Sequence, residues 1–169
     1  YTHDLPAADF GERVRSVDRW GGFESQESVS ISPEQYGEFV FPYMEPLMSR
    51  FGKVYYGCCE PVDPIWAHLR TVPNLARVSV SPWADEELLG RICRDGNIVY
   101  SRKPSPNYVS MERFDEQALY DHFLKTANAA RGCALEIIQR DVYVTNNQPD
   151  RFVRWVELAR QACREAWSP

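Results

Sequence analysis

The 169-residue chain is 44% hydrophobic and 13% aromatic, which is enough to bury a core and excludes an intrinsically disordered protein. Nineteen basic residues against 24 acidic ones give a net charge of -5, and no basic run is interleaved with aromatic residues, so nucleic acid is not an expected partner. The apolar stretches are far shorter than the roughly 20 residues of a membrane span, and residues 1–10 contain no secretory signal. We therefore expect no membrane partner.

Short β-rich runs alternate along the chain with longer segments of helical period, which predicts βαβ units and a parallel sheet. Five such units fit one domain over residues 1–169, with residues 1–19 as a lead-in segment. The predicted strands are 22–25, 53–58, 77–81, 97–101 and 134–139. The helices after them start at residue 33 and then cover 65–69, 84–92, 114–130 and 151–166.

The first predicted helix carries its own boundary signals. Ser32 is a good N-cap and Pro33 suits the first helical position. Pro42 and Pro46 lie inside the apolar repeat that follows, so we expect them to bend or divide the helix.

Parallel strands with helices between them form either an open doubly wound sheet or a barrel. The chain has no GxGxxG and no GxxxxGK[ST] phosphate loop, which are typical of nucleotide-binding open sheets. The pattern therefore favours an α/β fold of the barrel kind, a partial (β/α)8 TIM barrel of about five consecutive β/α units.

Three motifs occur in order near the start of this pattern: FESQ at 23–26, ISPE at 31–34 and EFVFPY at 38–43. They resemble the FES, LSPE and EFxLPY patterns of the uroporphyrinogen decarboxylase and corrinoid-methyltransferase superfamily. VYYGCCEP at 54–61, VSVSPW at 78–83 and the segments 98–106 and 141–149 occupy the places of later strand ends of that family. The resemblance covers about strands 4 to 8 of an eight-unit barrel, and the family's N-terminal strands have no counterpart here.

In such a barrel the active site lies at the carboxyl ends of the strands. The candidate catalytic residues there are Ser25, Asp141 and Tyr143, and the candidate substrate-binding residues are Gln26, Trp83, Arg102 and Lys103. Ser25 matches the serine of the family's FES motif and would hydrogen-bond a substrate oxygen, or else it only satisfies backbone at a strand end. Arg102 and Lys103 would bind a carboxylate or phosphate, or else they are solvated surface charges. Trp83 would form an apolar wall of the site, or else it packs in the core.

Cys58, Cys59 and Glu60 form the most reactive cluster, since thiolates and carboxylates are zinc ligands and zinc can activate a thiol for methyl transfer. The resemblance adds Asp141, because corrinoid-linked methyltransferases of the superfamily bind zinc with an HxC pair and a distant cysteine. Tyr56 stands here in place of that histidine, and Asp141 in place of the distant cysteine. The alternative is a cysteine packed in the core and a glutamate that caps the next helix.

The resemblance thus implies a zinc-dependent methyltransferase-type domain, incomplete on its own, that acts on a small-molecule substrate with a thiol or with a corrinoid on a partner protein. One alternative is uroporphyrinogen decarboxylation, as in porphyrin biosynthesis, which needs no cofactor. It is disfavoured because Asp141 replaces a histidine that contacts the substrate and because the N-terminal arginines are absent. Another alternative is a non-catalytic oligomerising fragment.

Two further expectations concern the cellular location of the chain and its oligomeric state. Five cysteines, two of them adjacent, fit free thiols in a reducing cytoplasm better than a disulfide framework. Five strands of an incomplete barrel leave two sheet edges and inward-facing apolar side chains exposed. The chain is therefore predicted to be cytoplasmic and a dimer or larger homo-oligomer, with contacts near Phe23 and Ile137.

Overall fold

A computed structural model of the chain describes residues 15–167 and contains one five-stranded sheet. Its strands are β1 (Trp20–Phe23), β2 (Lys53–Tyr56), β3 (Leu75–Val80), β4 (Val99–Arg102) and β5 (Leu135–Ile137). Every neighbouring pair is parallel, and the strands lie in the order β1-β2-β3-β4-β5. The α/β class with five parallel strands is confirmed. This order lacks the reversal at which a doubly wound sheet changes direction.

Seven α-helices lie between and after these strands in the part of the chain that the structure describes. They are α1 (Pro33–Phe39), α2 (Phe41–Met48), α3 (Trp66–Leu69), α4 (Glu86–Gly96), α5 (Asn107–Ser110), α6 (Glu116–Ala129) and α7 (Asp150–Trp167). None of these helices is both long enough and apolar enough to cross a membrane. Residues 1–14 of the predicted lead-in segment lie outside the described residues.

The start and the division of the first helix follow the sequence signals. Ser32 and Gln35 form a capping box, in which each side chain accepts a hydrogen bond from the other residue's backbone N–H. The helical segment is divided at Val40, so that Pro42 falls in the first turn of α2, where its missing N–H costs no hydrogen bond. The expected division of this helix is confirmed.

One face of the sheet packs against the helices and forms the main apolar core. Strand residues on this face are fully buried, among them Val54, Tyr56, Val78, Val80 and Tyr100. They pack against side chains of α1, α2, α3 and α4. A second cluster joins α5, α6 and α7 around Phe123 and Trp155, whose rings meet edge to face at 5.1 Å.

The opposite face of the sheet, here called the polar face, carries charged, hydroxyl and aromatic side chains. Strand side chains alternate between faces, and the register places Tyr55 beside Arg77, and Ser101 between Ser79 and Glu136. Arg77 Nε and a carboxylate oxygen of Glu136 approach to 3.4 Å although β4 lies between their strands. The inward face that the sequence predicted to be apolar is therefore mixed: Trp20 and Tyr55 are aromatic, and charged or hydroxyl side chains occupy most of the other positions that alternate with the core residues.

β1 and β5 are the edges of the sheet, and within residues 15–167 each of them pairs on one side only. β1 ends at Phe23, two residues earlier than the predicted strand. The strand ends there because the N–H of Ser25 donates to the side chain of Glu60, at 3.2 Å from Oε1, and not to the neighbouring strand.

Candidate functional site

An open cavity of about 640 Å³ lies on the polar face of the sheet, toward the carboxyl ends of the strands. Its polar lining includes Cys58, Lys103 and Arg140, and Trp20 and Tyr55 give it aromatic walls. A smaller cavity of about 420 Å³ lies beside α5 and is lined by Ser105, Asn107, Tyr108, Met111, Arg113 and Asp115. The smaller cavity holds no thiol and none of the predicted site residues, so the larger one is the candidate functional site.

The backbone before the thiol is fixed by Gly57. This glycine has a φ of 98°, a conformation that side chains other than glycine rarely adopt. A Cβ atom there would stand 2.9 Å from Val62 and 3.0 Å from the Cβ of Ser79. The turn that presents Cys58 at the end of β2 therefore depends on glycine at this position.

Each hydrogen-bonding group of Cys58 has a partner. Its N–H donates to Glu60 Oε2 at 3.0 Å, and its carbonyl accepts from Ser79 Oγ at 2.7 Å and from Lys103 Nζ at 3.3 Å. Its Sγ accepts from Arg140 Nη1 at 2.5 Å. The thiol is thus held at a defined place in the wall of the cavity.

Arg140 joins the end of β2 to the segment after β5. Its Nε donates to Asp141 Oδ2 at 2.8 Å while its Nη1 donates to Cys58. Burial opposes the charge of Arg140, but these hydrogen bonds outweigh it and raise the pKa of the guanidinium. A permanent positive charge therefore stands against the sulfur of Cys58, and such a donor stabilises negative charge there.

The second cysteine differs from the first. Cys59 Sγ lies 4.0 Å from Cys58 Sγ and 3.6 Å from Asp141 Oδ2. Burial, and next the neighbouring Cys58, raise the pKa of Cys59 to about 11, and only Arg140 opposes them. Of the pair, Cys58 is the better candidate nucleophile, because it contacts the Arg140 guanidinium and lines the cavity.

Glu60 has a structural position beside the thiols. It is 3% exposed, and its two carboxylate oxygens accept the backbone N–H groups of Ser25 and Cys58. These hydrogen bonds connect the segments that follow β1 and β2, and both carboxylate oxygens of Glu60 are used by backbone amides. In this position Glu60 supports the turn that holds Cys58.

The residues expected to bind zinc do not fit a metal in this arrangement. Zinc needs three or four ligands that face one point, and residues 15–167 contain no group of three or more His, Cys, Asp or Glu side chains that could hold an ion. Glu60 faces backbone amides, and the Arg140 guanidinium contacts both Cys58 and Asp141. A fixed cation between two expected ligands opposes the binding of a second cation, so these residues do not fit a zinc ion.

Two further cations face the cavity over aromatic rings. The Arg77 guanidinium lies 4.9 Å from the centroid of Trp20 and 5.6 Å from that of Tyr55. Lys103 Nζ lies 5.0 Å from the Tyr55 centroid, and the lysine is only 6% exposed. Together with Arg140 they make this cavity attractive to an anionic group.

Arg102 lies on the other side of the sheet from Lys103. It is 2% exposed, and its Nη2 lies 3.1 Å from Glu86 Oε1. The second carboxylate oxygen of Glu86 accepts from Thr126 Oγ1 at 2.7 Å. Burial, and next Arg102, lower the pKa of the neighbouring His122 to about 4. The structure thus places Arg102 in a buried network beneath α4 and α6, away from the cavity where substrate binding was expected.

Of the other predicted site residues, some line the cavity and others lie outside it. Gln26 and Asp141 line the cavity together with Cys58 and Lys103. Trp83 and Tyr143 do not line it, and they are 78% and 90% exposed. The sequence interpretation missed Trp20, Tyr55, Arg77 and Arg140, although an arginine inside the β-rich run of β3 was a signal for a charged cavity wall.

Comparison of the chain with protein-family models, with curated proteins and with solved structures found no match.

Proposed function

We propose that the chain forms the carboxyl-terminal part of a (β/α)8 barrel of the uroporphyrinogen decarboxylase-like kind and that its cavity is a methyl-transfer site. The sequential order of parallel strands and the site at their carboxyl ends support the barrel. The transfer is proposed to use Cys58 as its nucleophile. A thiol, or a corrinoid on a partner protein, is the acceptor class that the sequence resemblance implies.

The contact between Arg140 and Cys58 carries the proposal. A thiol reacts as the thiolate, and an adjacent cation favours that form of sulfur. Arg140 donates to Cys58 Sγ at 2.5 Å within the cavity wall. Of the two adjacent thiols, Cys58 is the one that combines this contact with a place in the cavity lining.

The electrons balance with one methyl donor and one acceptor nucleophile bound in the cavity. The Cys58 sulfur supplies the electron pair of the new S–CH3 bond, and the leaving group of the donor departs with the pair of the bond that breaks. In the return step a second nucleophile takes the methyl group, and the sulfur leaves as the thiolate. Arg140 stabilises the negative charge on sulfur before the first step and after the second.

Transfer of a methyl group to the protein is expected to be lost in Cys58→Ser. The measurement is mass spectrometry after brief incubation with deuteromethyl 4-nitrobenzenesulfonate, a small methyl donor. Cys163→Ser is the matched control, because Cys163 lies on α7 and burial raises the pKa of its thiol. We expect at least about tenfold less label in Cys58→Ser than in the control. Equal labelling of the two variants contradicts the proposal.

Decarboxylation is the second candidate, and one observation favours it. Arg77, Lys103 and Arg140 surround a single cavity, so a substrate carboxylate has cations to bind without help from a partner chain. For a polyanionic porphyrinogen, however, the carboxylates of Glu24 and Asp141 in the same lining are unfavourable. A small carboxylate therefore fits this alternative better than uroporphyrinogen.

Association of the chain into a dimer or larger homo-oligomer also remains a proposal. Two exposed apolar groups support it: Phe39, Tyr43 and Leu47 on α1 and α2, and Phe152, Val153 and Val156 on α7. Among the described residues the outer sides of β1 and β5 pair with no strand, so their backbone groups can pair with another chain. Sedimentation velocity at micromolar concentration is expected to show a dimer or larger species. A monodisperse monomer contradicts this expectation.

A further inference from the structure

The cavity contains a buried cation that has no carboxylate partner. Lys103 is 6% exposed, and its Nζ contacts the carbonyl of Cys58 at 3.3 Å and the face of the Tyr55 ring. No carboxylate within residues 15–167 forms an ion pair with it. A buried ammonium without a counter-charge is costly, so the site gains free energy when an anion binds there.

The other two cations of the cavity already have partners. Arg77 Nε lies 3.4 Å from Glu136 Oε1, and Arg140 Nε lies 2.8 Å from Asp141 Oδ2. Glu24 also lines the cavity, but it is exposed and its Oε2 accepts from Gln26 Nε2 at 3.5 Å. Lys103 is therefore the cavity cation that has no carboxylate within ion-pair distance among the described residues, since the nearby Glu60 carboxylate is directed at the backbone amides of Ser25 and Cys58.

The aromatic ring beneath this cation belongs to Tyr55. The Tyr55 hydroxyl is buried and has no hydrogen-bond partner among the described residues. Its ring lies beneath Lys103 Nζ, and Tyr55 itself lines the cavity. A tyrosine hydroxyl can donate to a carboxylate, so this buried group offers a second contact for an anion that binds in the cavity.

We propose that Lys103 and Tyr55 bind the carboxylate of a small monocarboxylate with an apolar body. Trp20 and Ile138 line the same cavity and supply apolar surface for that body. Lys103 contacts the Cys58 carbonyl, so the bound molecule lies beside the thiol. This inference rests on the proposed function, because it identifies the class of substrate that Cys58 would act on.

Melting temperatures with benzoate and with benzamide test the inference, since the two probes differ in charge and hardly in shape. Benzoate is expected to raise the melting temperature of the wild-type chain by about 2 °C or more, and benzamide at the same concentration is not. Lys103→Met is expected to lose the benzoate effect. Lys125→Met is the control for the benzoate shift, because Lys125 lies on α6 outside the cavity lining and its ion pair is with Glu86 at 3.7 Å; each variant is compared with itself without ligand.

The lysine variant also has a distinctive stability. Without any ligand, Lys103→Met is expected to melt at the same temperature as the wild type or higher, because it removes a buried charge that has no counter-ion. If Lys103 instead had a structural role, its replacement would lower the melting temperature. Lys103→Gln provides a second neutral variant with the same expectation for benzoate.

Three outcomes overturn the inference: a benzoate effect that persists in both lysine variants, an equal effect of benzamide, or a larger effect of inorganic phosphate at matched ionic strength. The test does not depend on the reactivity of the thiol. Cys58→Ser is therefore expected to keep the benzoate effect. If benzoate binds through Lys103 but methyl donors do not react with Cys58, the proposed function fails and the carboxylate site stands.

Discussion

Replacement of Glu86 by alanine is expected to lower the free energy of unfolding by about 3–5 kcal/mol, the usual cost of removing one partner of a buried ion pair. Glu86 is 5% exposed and pairs with Arg102, which is 2% exposed. The variant leaves the Arg102 guanidinium buried and bonded only to neutral groups, the carbonyls of Val80 and Ser81 and the ring of His122. It also removes the acceptor of the Thr126 hydroxyl.

Denaturant unfolding measures this loss, because the midpoint falls in proportion to the free energy if the slope is unchanged. Glu157→Ala is the control, since Glu157 also pairs with an arginine, Arg154, at 3.0 Å, but on the exposed surface of α7. Exposed pairs contribute little, so the control curve is expected to overlay that of the wild type. A Glu86→Ala curve that also overlays the wild type contradicts the buried network.

Replacement of Arg140 by methionine is expected to slow alkylation of Cys58 by about tenfold or more. The guanidinium donates to Cys58 Sγ at 2.5 Å, and a hydrogen bond to a charged group contributes about 1.5–3 kcal/mol. Methionine keeps much of the side-chain volume but removes the donors and the charge. The measurement is the rate of Cys58 labelling by iodoacetamide at neutral pH, followed by peptide mass spectrometry.

Arg154→Met serves as the control for this experiment, because Arg154 pairs with Glu116 and Glu157 on the helical surface. Its rate of Cys58 labelling is expected to equal that of the wild type. If Arg140→Met also labels at the wild-type rate, the guanidinium has no influence on the sulfur and the proposed nucleophile loses its support.

Much of the fold could be predicted because local sequence patterns mark its strands and helix boundaries. Apolar β-rich runs at 53–58 and 77–81 predicted strands that the structure places at Lys53–Tyr56 and Leu75–Val80. The prolines after Val40 predicted the division of the first helix. Closure into a barrel depends on strands outside this chain's described sheet, so it remains a proposal.

The site was less predictable because it depends on which way each strand residue points. Arg102 and Lys103 are neighbours in the chain, yet successive strand residues face opposite sides of a sheet. Arg102 follows Tyr100 toward the helices, and Lys103 follows Ser101 toward the cavity. Counting alternate positions from Tyr100 would have placed Arg102 and Lys103 on opposite faces of the sheet from the sequence alone.

Arg140 shows the limit of such counting. It lies after β5 in a segment without regular structure, and it meets Cys58 across a separation of 82 residues. Asp141 beside it has a φ of 58°, in the left-handed region, which no local pattern predicted. Contacts of this kind arise from tertiary packing, so the position of Arg140 between two expected metal ligands could not be predicted from the sequence.

The most direct test of the account is the position of a methyl group delivered to the wild-type chain by one equivalent of donor. The described chain contains five free cysteines, Cys58, Cys59, Cys93, Cys133 and Cys163, which compete for the label under identical conditions. Burial raises the pKa of Cys93 to about 12, and Cys59 has a pKa raised to about 11. Fragmentation mass spectrometry is expected to find most of the label on Cys58. A label spread evenly over the cysteines, or concentrated on Cys163, contradicts the account.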